Sequence, residues 1–122
     1  MPHDSEMPSQ DDVRRIALGL PEATEDANFF RFLVDGKAFA WTWMERVDPK
    51  RPRLPNPDVL SVRLADESDK EVLIDMDPDV FFTEPHYDGY PAIQVRLLVI
   101  DRDLLAKLLA DAWRSRAPRR LR

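Results

Sequence analysis

The residues best equipped for chemistry in this chain fall into two groups. The first is Thr83-Glu84-Pro85-His86-Tyr87-Asp88, which with Tyr90 gathers a histidine, two carboxylates and two phenols in a short segment. A histidine beside acids can hold a metal, but protein metal sites use spacings such as H-E-x-x-H, and none is present. No metal and no cofactor are therefore expected. His86, Tyr87 and Tyr90 are read instead as candidates for holding a protein or small ligand, because aromatic side chains on a loop are common recognition elements. The second group is cationic: Arg31, Arg46, Arg63 and Arg96 fall in or beside extended segments, and Lys50, Arg51 and Arg53 in a proline-rich stretch. Guanidinium groups sharing a surface take phosphate oxygens bidentately, so these residues are candidate nucleic-acid contacts.

Other chemistries lack their residues. The chain has no cysteine, which removes thiol nucleophiles, Cys-ligated zinc and iron–sulfur clusters. No serine lies in a G-x-S-x-G context, and three glycines make neither a P-loop nor a dinucleotide fingerprint. Asp75, Asp77 and Asp79 fall short of a calcium loop, since the required glycine and closing glutamate are missing and Pro78 intervenes. No catalytic residue is assigned, and an enzyme is not expected. The formal net charge of −5 is unevenly spread: residues 66–88 carry nine acids against one base, and residues 112–122 carry five arginines and no acid. Met1–Gln10 has no basic-then-apolar signal pattern, and no aliphatic run is long enough to span a bilayer, so a cytoplasmic protein without membrane contact is expected.

The elements that must position these groups can be read from spacing. At 122 residues, one domain is expected over residues 10–117, with a flexible N-terminus (1–9) and a basic tail (118–122) able to reach the acidic Asp66–Asp79 region of the same molecule or of a partner subunit. Ser9 with Asp12 caps a helix over Gln10–Leu20, whose Val13, Ile16, Ala17 and Leu20 share a face. Phe29–Val34, Asp35-Gly36 and Lys37–Val47 form a hairpin on a two-residue turn. With Val34 opposite Lys37, Phe32 faces Phe39 and Phe30 faces Trp41, Trp43 continues the row, and this side is core. The prolines of Asp48–Asp58 predict a stiff basic loop. Val59–Leu64 and Ala92–Val99 alternate as strands. Ser68 with Glu71 boxes a short helix ending near Met76, Asp77-Pro78 starts a helical turn over Asp79–Phe82, and Thr83–Pro91 is a loop. Asp101 caps a last helix over Arg102–Arg116, whose Leu104, Leu105, Leu108, Leu109, Ala112 and Trp113 form one apolar stripe.

This order predicts an α+β fold, a two-layer sandwich in which a mainly antiparallel sheet carries its N- and C-terminal helices on one face. The other face is then relatively open. By strand parity it carries Arg31, Arg46, Arg63 and Arg96 with Thr42, Ser61 and Gln94, and the Lys50–Arg53 loop extends the patch.

An ordered set of segments also carries a resemblance. Ile16-Ala17-Leu18-Gly19-Leu20-Pro21-Glu22, Phe32-Leu33-Val34-Asp35-Gly36-Lys37-Ala38-Phe39-Ala40, Asp77-Pro78-Asp79-Val80-Phe81-Phe82, Pro85-His86-Tyr87, Tyr90-Pro91-Ala92 and Val95-Arg96-Leu97 resemble the MmcQ/YjbR family over about residues 10–117. The resemblance implies a CyaY-like (frataxin-like) α/β sandwich and a small bacterial cytoplasmic protein that binds DNA. It carries over no established catalytic residues. Relation to frataxin-like proteins would place iron on an acidic first helix; here that helix has Asp11 and Asp12 beside Arg14 and Arg15, a departure from that pattern.

Overall fold

The computed structural model describes residues 8–122, so most of the expected flexible N-terminus, His3 included, lies outside the described residues. The helices are α1 (Gln10–Leu18), α2 (Asp69–Met76) and α3 (Arg102–Arg116). The strands are β1 (Thr24–Glu25), β2 (Arg31–Val34), β3 (Lys37–Glu45), β4 (Leu54–Arg63), β5 (Phe81–Phe82) and β6 (Ala92–Arg96). They form one antiparallel sheet in the order β1-β2-β3-β4-β6-β5. Val13 and Ala17 of α1 and Leu105, Leu109 and Trp113 of α3 join Phe32, Leu60, Val62, Ile93 and Val95 in a single core, which is the expected α+β layering. No helix of the described residues is long and apolar enough to cross a membrane.

Short-range signals form much of this frame. The Ser9 backbone N–H donates to the Asp12 carboxylate at 2.9 Å, and the Asp101 carboxylate accepts from the Leu104 N–H at 2.8 Å. Asp12 also takes Arg15 at 2.9 Å and Arg102 at 3.1 Å, so one carboxylate caps α1 and ties it to α3. Burial disfavours its charge, but the Ser9 N–H and the two guanidinium groups outweigh that and hold the carboxyl well below the usual range. Asp35 and Gly36 adopt φ of 54° and 72°, as a two-residue hairpin turn demands.

Past that turn the register departs from expectation. A bulge between Phe32 and Leu33 leaves Phe39 without a partner, so Phe32 pairs with Ala40 and Arg31 with Trp41. Phe39 and Ala40 both enter the core. A one-residue slip sends every later side chain to the other face. Trp41 and Trp43 therefore lie on the face away from the helices, and Thr42 lies toward them, where its hydroxyl accepts from Gln10 Nε2 at 3.2 Å.

The proline-rich stretch is also not all loop. Leu54–Asn56 pair with Trp43–Glu45 and lengthen the β3–β4 hairpin. Pro57 is tolerated because the register jumps from Thr42↔Leu60 to Trp43↔Asn56 and leaves it without a partner on β3, whereas Pro55 stays in register with Met44. Phe81–Phe82, expected as a helical turn, pairs with Gln94–Val95 as an edge strand, and β1 was not foreseen; two-residue strands carry no readable period. The Ser68–Glu71 box is replaced by Asp66, whose carboxylate accepts from the Ser68 N–H and hydroxyl at 2.9 Å each. The second and fourth predicted strands and the first helix end earlier than expected, at Glu45, at Arg96 and at Leu18. The tail folds back as a 3₁₀ turn over Arg119–Leu121, but Arg120 pairs with Glu22 at 2.9 Å rather than with Asp66–Asp79.

Candidate functional site

Trp41, Ser61 and Gln94 lie side by side across β3, β4 and β6 on the face away from the helices. Gln94 Nε2 donates to Ser61 Oγ at 3.1 Å, Ser61 Oγ lies 3.4 Å from the Tyr87 hydroxyl, and Trp41 Nε1 donates to that hydroxyl at 3.2 Å. Ser61 and Gln94 are fully buried. The face expected to be open is thus roofed by the chain's own 83–91 segment. The β5–β6 connection leaves the edge strand and crosses this face as far as β3 before entering β6, and the displaced tryptophans give it an apolar surface to seal.

The roof is fixed at both ends. At one, the Glu84 carboxylate accepts from Trp43 Nε1 and from Arg53 Nη2, the latter at 3.1 Å. Burial opposes the charge of Glu84, yet Arg53 and the indole N–H prevail and lower its pKa. At the other, the buried Lys70 of α2 donates to the Tyr87 carbonyl at 2.5 Å and lies 3.7 Å from Glu67, which accepts from the Gly89 N–H at 3.0 Å. Phe82 packs edge-on against Trp43, and Tyr90 against Trp41, with ring centroids 5.3 and 6.4 Å apart. Tyr87 is half-buried; His86 and Tyr90 are exposed. Among the described residues, no three His, Asp or Glu side chains gather closely enough to hold a metal.

The candidate arginines do not form one patch. Arg31, Arg63 and Arg96 occupy the roofed face as parity expects. Each is engaged: Arg31 with Asp26 at 2.6 Å, Arg63 over the Tyr90 ring and bonded to its hydroxyl at 3.1 Å, and Arg96 with its guanidinium carbon 4.2 Å from the Phe82 centroid. Arg46 lies in the β3–β4 turn rather than on the sheet, its Nη1 donating to the carbonyls of Pro49 at 3.2 Å and Arg51 at 2.9 Å. Arg53 bridges the Met44 carbonyl at 2.7 Å and Glu84. Lys50 and Arg51 are exposed at the tip, Arg51 being 3.9 Å from Asp48. The fold therefore brings Arg46, Lys50, Arg51 and Arg53 together, and separates them from Arg63 at the other end of β4.

Two features were missed by sequence reasoning. The Glu84–Arg53–Trp43 cluster joins residues 31 and 41 positions apart, a juxtaposition with no local signature. A cavity of about 480 Å³ lies between α2 and the C-terminal half of α3, with Arg63, Arg114 and Arg122 on its wall.

These features define a small antiparallel α+β domain that covers one sheet face with helices and the other with its own loop, and that concentrates cations at one hairpin tip. The YjbR family model matches residues 18–115, and the chain belongs to that family. It is similar to the uncharacterized protein Rv2570 of Mycobacterium tuberculosis and the uncharacterized protein Mb2600 of Mycobacterium bovis, each 39% identical over 121 residues covering 94% of this chain and 93% of theirs. No solved structure matches the chain.

Proposed function

We propose that this protein is a binding module for duplex DNA, and that the β3–β4 hairpin tip makes the principal contact. The observation that supports this is the concentration of Arg46, Lys50, Arg51 and Arg53 against the single acid Asp48 within residues 46–53, braced by the bonds of Arg46 to the Pro49 and Arg51 carbonyls and of Arg53 to the Met44 carbonyl of β3 and to Glu84. A two-stranded ribbon is narrow enough for the major groove, and a cationic tip gives it phosphate contacts. The acidic α2 follows the opposite end of β4. Nine residue steps at about 3.3 Å put that end roughly 30 Å from the tip, several times the ~8 Å Debye length at physiological salt, so its repulsion is largely screened.

The alternative, an adaptor that recognises a protein or small ligand through His86, Tyr87 and Tyr90, is less well supported. Tyr87 spends its hydroxyl on Trp41 and Ser61, and the segment lies flat as a roof.

Fluorescence anisotropy with a short duplex tests the DNA reading. Binding at ~50 mM salt is expected, with log K falling by about 3 per decade of salt for three to four phosphate contacts. Replacing the exposed pair (Lys50→Gln with Arg51→Gln) should reduce that slope by nearly 2. Absence of binding, or an unchanged slope in the double variant, refutes the proposal.

A further inference from the structure

We propose that the cavity between α2 and α3 binds a small anionic amphiphile, a molecule with one carboxylate or phosphate on an apolar body. Its volume of about 480 Å³ is ordinary for a small-molecule site. Its floor is apolar, built from Leu64, Leu73 and Leu108, with Val72 of α2 on the wall and 65% exposed. An exposed valine on the wall of an apolar cavity is surface that a bound hydrocarbon would cover.

The rim specifies charge. Arg63, Arg114 and Arg122 come from the end of β4, from α3 and from the tail, and converge on this one cavity. Among the described residues none of the three makes an ion pair, whereas Arg14, Arg31, Arg53, Arg102 and Arg120 all do. Two acids share the rim, but Asp111 is held by Lys107 at 2.9 Å, which leaves Asp69 against Arg114 and Arg122, with Arg63 stacked on Tyr90 beside them. The Arg63 Nε–H is buried and has no acceptor within the protein. Its Nη1 is already bonded to the Tyr90 hydroxyl, so the N–H groups open to a ligand are chiefly those of Arg114 and Arg122, whose guanidinium groups make no hydrogen bond among the described residues and suit a planar carboxylate or a phosphate. This site shares only Arg63 with the roofed sheet face and lies at the far end of β4 from the hairpin tip.

Isothermal titration of the full chain with decanoate, decyl phosphate, decanol and inorganic phosphate tests the assignment. Decanoate or decyl phosphate should saturate one site with Kd below about 1 mM, and the preferred head group identifies the anion. Decanol and inorganic phosphate should each bind at least about tenfold more weakly, since each supplies half of the recognition. Val72→Asp and Arg114→Gln, both at exposed positions, should each weaken the anionic amphiphile about tenfold or more. The Lys50→Gln, Arg51→Gln variant should bind it as the parent does, which separates this site from the DNA-binding reading. No saturation by either anion, equal binding of decanol, or undiminished binding by both pocket variants overturns the proposal.

Discussion

Replacing Glu84 by Gln tests whether the 83–91 segment is a fixed roof. The carboxylate serves Trp43 Nε1 and Arg53 together, with the Glu84 and Arg53 side chains 20% and 21% exposed. Glutamine keeps one acceptor oxygen, turns the other into an NH2 donor set against the Arg53 or Trp43 donors, and loses the charge. A hydrogen bond to a charged group contributes about 1.5–3 kcal/mol, which partial exposure here reduces to about 1–2 kcal/mol. At about 2.1 cal/mol/K of unfolding entropy per residue, a chain of 122 residues should lose roughly 4–8 °C of Tm at pH 7. The pH dependence is a second constraint. The folded-state pKa of Glu84 is lowered, so its contribution is complete above the ordinary carboxylate value of about 4.3 and is lost as pH falls through the lowered one. The Tm gap between parent and variant, followed by circular dichroism, should therefore close on acidification below about pH 4. Equal Tm at pH 7, or a gap that persists in acid, refutes the clamp and returns the segment to the pool of mobile recognition loops.

Two further substitutions probe the frame. Gly36→Ala places a Cβ at φ +72°, and although the space around it is open, the left-handed backbone should cost about 1–2 kcal/mol, read as a drop in the urea midpoint. Leu109→Ala removes a fully buried α3 side chain from the core and should cost about 2–5 kcal/mol; a loss below 1 kcal/mol would mean that α3 does not seal the sheet.

Local chemistry carried the parts of the fold that sequence could determine. Ser9 with Asp12, Asp35-Gly36, Asp101 and the apolar stripe of α3 each involve residues within a few positions of one another. Their readings of a helix start, a two-residue turn, a second helix start and a core-facing helix hold in the structure. Strand alternation likewise placed Arg31, Arg63 and Arg96 away from the helices. Tertiary structure decided the rest, because the deciding pairings are distant. A single unpaired residue at Phe39 reversed the faces of Trp41, Thr42 and Trp43, and no residue type announces a bulge. That reversal put tryptophans where a polar surface was expected, and Glu84, Tyr87 and Lys70 then closed a loop over them. The same folding dispersed the seven candidate cations, leaving four at one hairpin tip and setting Arg63 on the lining of one cavity with Arg114 and Arg122. The sequence by itself determined which charges exist and which elements carry them; which charges stay unpaired, and beside which cavity, was set by contacts between residues dozens of positions apart.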